Sequence, residues 1–157
     1  KLSVFAKSDL SWLLIPNFTI FRKVLNCFQA LNNRTRYMSK IVVHIHSGPD
    51  LANKATLGLL VAVTAVDKGG DLTLFLAADG VHLLGCSERE QVVGLGTGDL
   101  KDHLDKLKSA NTKIFVSGMS AKARGYDETL LNGYNASFAM PDALLECSLE
   151  ADTVLCY

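Results

Sequence analysis

No CxxC pair occurs in this chain, no uncharged apolar run approaches the ~20 residues a membrane helix needs, and no charge of one sign prevails. The four cysteines, Cys27, Cys86, Cys147 and Cys156, lie far apart, which argues against a zinc finger or a thioredoxin-type motif. They read as reduced thiols of a cytoplasmic protein. Sixteen cations balance sixteen acids, so the total implies neither nucleic acid nor an anionic membrane as partner. Glycine is missing before Met38: all 12 follow it. What remains is a chain of 157 residues, 48% hydrophobic and 20% charged, which fits one soluble domain with a sizeable core.

The balanced total conceals a split at Met38. Residues 1–37 hold six cations and one acid, a balance of +5, whereas the other 120 hold ten cations and fifteen acids, a balance of −5. Three readings stand for residues 1–37: vector-derived or upstream sequence, an organellar transit peptide, or a native arm in which "WLLIPNFTIF" packs on the domain or on a neighbouring subunit. The segment is set apart from functional reasoning, and residues 38–157 are read as one α/β domain.

Within that domain "KIVVHIH" (40–46) is short, β-branched and apolar, and is stopped by "SGPD", which predicts a buried strand. A helix follows, with Asp50 as its cap, one apolar face from Leu51 through Ala55, Leu59 and Ala62 to Val66, and Gly69-Gly70 at its end. "LTLFLA" (72–77) is a second buried strand and "DGVHLLG" (79–85) a short helix or turn. "GLGTG" (94–98) lacks the GK[ST] ending of a phosphate loop and is read as a flexible connection to an amphipathic helix over 99–111. "KIFVSG" (113–118) is the third clear strand. Pro141 opens a last helix, and "TVLCY" (153–157) is a closing strand.

Strands apolar on both faces and alternating with helices specify a three-layer α/β/α domain with a mostly parallel, flavodoxin-like sheet. In flavodoxin-like order the first strand lies beside the third, which would bring "SGPD" (47–50) against "SGMSAKARG" (117–125) at the switch point where such sheets bind ligands.

Three stretches in this order, "HSGPD" with its Ala/Leu-rich helix, "LTLFLAADGVHLL", and "IFVSGMSAKARG" with the closing "LLECSLEADTVLCY", resemble the DsrE/DsrF-like (YchN-type) family over the whole domain. The resemblance implies a cytoplasmic α/β protein assembling into a homotrimer or homohexamer, no cofactor, and a part in sulfur relay with a persulfide held on a cysteine at the end of the third strand. In this chain that position is Ser117. A hydroxyl cannot hold a persulfide, and its alkoxide is far less accessible than a thiolate. Family-type sulfur transfer is therefore not inherited by default.

The candidate residues follow. Ser47, Ser117, Gly118, Ser120, Lys122 and Arg124 are read as an anion-binding cleft, set against the plainer reading of a solvated basic turn. Ser117 or Ser120 as nucleophile would need a base, and His46 is the histidine nearest in the expected fold. The G-x-S-x-G elbow of hydrolases is missing. Cys86, with Arg89 nearby, is the thiol on which a rival sulfur-relay or reductase reading rests, and a protein-interaction scaffold is the third class. Cys147 and Cys156 fall in core patterns and read as buried. His44 and His46 share one strand face and supply two metal ligands, but no third stands at motif spacing, so no metal is assigned.

Overall fold

Five short apolar segments pair in parallel to form the sheet of this molecule. The computed structural model describes residues 39–85 and 91–157; the readings made for residues 1–38 and for Cys86 and Arg89 lie outside the described residues. Strand β1 (Lys40–Ile45) is followed by a 3₁₀ turn (Pro49–Leu51), helix α1 (Ala52–Asp67) and β2 (Asp71–Leu76). Next come a 3₁₀ turn (Ala78–Val81), the single turn α2 (His82–Gly85), the hairpin strands β3 (Val93–Gly94) and β4 (Gly98–Asp99), and α3 (Leu100–Ser109). The chain continues through β5 (Lys113–Ser117), α4 (Gly118–Ala123), β6 (Ala136–Ala139), α5 (Pro141–Glu150) and β7 (Thr153–Cys156). Among the described residues no helix is long and apolar enough to cross a membrane.

The main sheet runs β6-β5-β2-β1-β7, every pair parallel. The layered α/β/α expectation holds, with one correction: β2 lies between β1 and β5, so the first and third long strands are not neighbours. The physical reason is that β1, β2, β5 and β6 are laid down in one direction across the sheet, and only the last connection turns back. Right-handed crossovers put every connection of one direction on one face. That face is thick: Val43, Ile45, Leu74, Leu76, Ile114 and Val116 are buried beneath α1 and α3. From the helices, Ala55, Leu59, Leu104 and Leu107 fill the same cluster.

Among the described residues the opposite face receives α5 alone, and α5 has no buried residue. Leu145 and Leu149 of this helix are 60% and 78% exposed, and Val154 on β7 is 40% exposed. Cys156 is exposed and Cys147 half-buried, which corrects the reading of both as core thiols: their pattern is apolar, but among the described residues one helix alone lies on this five-stranded face. Burial raises the Cys147 thiol pKa, and its S–H donates to the Leu144 carbonyl at 3.2 Å.

Two local expectations also change. Asp50 makes no cap: α1 starts at Ala52 with Leu51 in the N-cap position and no side-chain cap, because the Pro49 turn takes up the preceding residues. "GLGTG" is an ordered hairpin held to α1 by Thr56 Oγ1···Thr97 Oγ1 at 2.6 Å and by the Leu95 N–H donating to Asn53 Oδ1 at 2.7 Å.

Candidate functional site

The strands end together, so their following loops form a common rim. β5 stops at Ser117, whose backbone leaves the extended region and whose hydroxyl accepts the Ser120 N–H at 3.3 Å, capping α4. α4 lasts six residues because Gly125, at φ +77°, takes the left-handed conformation that ends it. Ala121 is buried, Met119 is 60% exposed, and Lys122 projects from the exposed side.

The residues after β2 supply the rest. Ala78 sits at φ +48°, a left-handed backbone unusual for a residue with a Cβ, and its N–H donates to Ser120 Oγ at 3.0 Å. Asp79 Oδ1 accepts from Arg124 Nε at 3.2 Å and Nη2 at 2.5 Å, while Arg124 Nη1 donates to the Ser120 carbonyl at 3.2 Å. One guanidinium thus ties the end of α4 to the β2 loop. The β1 loop lies against the other side: a Cβ at Gly48 would stand 2.9 Å from Asp79 Cβ. Ser47 is buried behind it, 4% exposed.

Ser47, Ser117, Gly118, Ser120, Lys122 and Arg124 therefore do lie along one rim, but through an intermediary that sequence reasoning missed, the Ala78-Asp79 turn. Its signal was an Asp-Gly step directly after a buried strand. The hydroxyls of Ser117 and Ser120 both accept backbone N–H groups, and His46 is not among their partners. Neither serine is set up as a nucleophile. Arg124 carries an ion pair, whereas Lys122 has no ion pair among the described residues.

The Arg124 guanidinium holds the exposed Asp79 carboxyl below the ordinary carboxylate range, mainly through their hydrogen bond. A depressed folded pKa means that the contact contributes fully above the unfolded value of 3.8 and is lost as pH falls through the folded one. A carbon-detected NMR titration of the Asp79 carboxyl should give a midpoint below 3.8, returning toward that value in Arg124→Ala. An unchanged midpoint in the variant would mean that the clamp is not formed in solution.

A parallel, layered α/β sheet whose carboxyl-end loops form a small polar rim defines the class of this protein. A family model, the DsrE/DsrF-like family, matches residues 39–157, and the chain belongs to that family. Among solved structures it is similar to the crystal structure of the YchN protein from E. coli, with a TM-score of 0.63 and 22% identity over 76% of this chain and 100% of that one. That likeness is one of fold. No curated protein matches the chain.

Proposed function

We propose that this protein is a DsrE/F-like oligomer that binds a small anionic or sulfur-containing ligand at the rim of residues 117–124 and does not carry a persulfide there. The observation supporting this reading is the state of Ser117: the residue at the end of β5 is a hydroxyl, bonded to backbone as a helix cap, in a turn whose Lys122 has no ion pair among the described residues. Ser47, Ser117, Gly118, Ser120, Lys122 and Arg124 are the proposed contacts. Lys122 supplies a charge not paired among the described residues, and Arg124 gives the rim its shape while leaving part of its fork for the ligand. The thinly covered sheet face with Leu145, Leu149 and Val154 supports self-association into a homotrimer or homohexamer. The family's sulfur relay supports the choice of thiosulfate and sulfite among the anions to try.

The test is a ligand-dependent thermal shift with phosphate, sulfate, sulfite and thiosulfate, on the full chain. Lys122→Ala and Arg124→Ala should each weaken binding about tenfold, as expected for the loss of one charge-assisted hydrogen bond. Arg124→Lys should recover only part, because an ammonium lacks the planar fork. Asp79→Asn separates binder from strut. It unties the same clamp but removes a competing carboxylate, so affinity should hold or rise. If no anion shifts the wild type, the rim is a structural turn. Light scattering checks the assembly, and a monomer at all micromolar concentrations overturns that part.

A further inference from the structure

Two rungs join the turn after β2 to the end of α4. Asp79 is bonded to Arg124 across the first, and His82 Nδ1 meets the Tyr126 hydroxyl at 2.8 Å across the second. The rungs are neighbours on both sides. His82 caps the Ala78–Val81 turn, its N–H donating to the Asp79 carbonyl, and residues three apart in a 3₁₀ turn eclipse one another. Arg124 and Tyr126 are two residues apart, and the Tyr126 N–H returns to the Ala121 carbonyl of α4 at 3.0 Å. His82 is thus set beside the Asp79–Arg124 pair, at the rim, although sequence reasoning gave it no role.

The second rung is firmly packed. The Tyr126 ring meets the imidazole edge to face with centroids 5.4 Å apart, and a Cβ at Gly85 would come 2.7 Å from Tyr126 Cε1. His82 is half-buried, and its Nε2 has no hydrogen-bond partner among the described residues. A phenol O–H is a stronger donor than a neutral imidazole N–H, so Tyr126 donates to Nδ1 and leaves the proton of the neutral ring on Nε2. The same hydroxyl can accept. When the ring is charged, Tyr126 accepts from Nδ1 and Nε2 remains a donor. One partner therefore serves both protonation states.

We propose that His82 is a further contact of the anion at the rim, and that it takes up a proton from solvent as the anion binds; this rests on the anion-binding reading above. Histidine is the side chain that ordinarily changes charge between about pH 5 and 8, and an anion at Nε2 favours the charged form. Lys122 has no ion pair among the described residues, and Asp79 is already paired with Arg124. A charged His82 gives the rim a second cation beside Lys122, so the ligand class is a dianionic oxyanion, such as sulfate or thiosulfate. Asp79 is held low first by its hydrogen bond with Arg124 and in smaller part by the His82 charge, and it stays ionised throughout this range. The other acids on the elements around α2 are Asp127 and Glu128, at the start of the Glu128–Leu131 3₁₀ turn, where Asp127 accepts the Thr129 N–H at 2.9 Å. Glu88, Arg89 and Glu90 lie outside the described residues. His46, which follows β1, is the other histidine at this end of the sheet and serves as the control.

The experiment is calorimetry of the full chain with sulfate, whose own charge is fixed over this range. Affinity should rise about tenfold between about pH 8 and pH 5, the gain of one charge-assisted hydrogen bond. Repeating the titration near neutrality in buffers of different ionisation enthalpy should show net proton uptake. Methanesulfonate, of similar shape but with one charge, should gain less. His82→Gln should abolish the pH dependence and the proton uptake, whereas His46→Gln should keep both. Tyr126→Phe should move the ¹⁵N shifts of the His82 ring, which report the tautomer rather than the packing, with circular dichroism confirming the fold. Sulfate binding without pH dependence, or a pH dependence that survives His82→Gln, overturns this inference and leaves the rim reading standing. Absence of sulfate binding at every pH overturns both. Equal gains for the two anions would remove the dianion class, and unmoved ¹⁵N shifts would remove the part given to Tyr126.

Discussion

Ser117→Cys is expected to let the chain take up a sulfur atom at the end of β5. The substitution puts a thiol where the family resemblance places its sulfur carrier. The first turn of α4 would then present the Ser120 N–H, now bonded to the hydroxyl, to a thiolate. Backbone donors and nearby cations stabilise an ionised thiol; Lys122 belongs to the same short helix and Arg124 is its C-cap. Offered a persulfide on a sulfurtransferase, the new thiolate attacks the outer sulfur and the donor leaves as its own thiolate, so no further oxidant or reductant is needed. Mass spectrometry in a background lacking the other four cysteines should show a gain of one sulfur atom, reversed by dithiothreitol. The weaker cap should cost about 1 kcal/mol of stability. A variant that folds but gains nothing would mean that the loop has lost more than its nucleophile.

The second large effect is on stability. A Cβ added at Gly80 would overlap the Ile45 carbonyl oxygen, so that backbone must move. That contact is where the β2 loop crosses the end of β1, and Asp79 and Ala78 hang from it. Gly80→Ala should therefore destabilise by on the order of 3 kcal/mol, read as a lower urea midpoint with an unchanged slope. It should also disturb the rim. Gly118→Ala is the control, since its added methyl meets Phe138 Cβ at an ordinary 3.6 Å. Equal stability of the two variants would show that the β1 and β2 loops are not packed as described.

The central strands were legible because β1, β2 and β5 are short, mostly apolar runs of the kind a covered parallel sheet buries. β6 was not: "ASFA" is four residues long, lacks β-branched side chains, and follows the Asn-Gly-Tyr-Asn stretch that reads as loop. Missing it, one cannot tell which way the last helix must travel. The strand order and the thin face then stay hidden, and Cys147 and Cys156 look buried. Ser117, Ser120 and Arg124 were legible as the turn that ends β5 because small polar residues stop a strand abruptly. Asp79 was not, because its partner lies 45 residues away and a propensity argument sees only neighbours.

The sheet order has a consequence for how the chain is made. β1 is an interior strand, yet the neighbour on one of its sides is β7, the last of the five strands in chain order. The hydrogen bond that begins this seam, from the Lys40 N–H to Asp152 Oδ2, joins residues 112 apart in sequence. On the ribosome, β2 can pair with β1 early, but the other side of β1 must wait, with unpaired N–H and C=O groups facing solvent. During that interval the nascent chain carries a template for strand addition at its centre rather than at its rim. Completion of the sheet is thus a non-local closure, and it is the step at which a chaperone, or a second nascent copy, has most to offer.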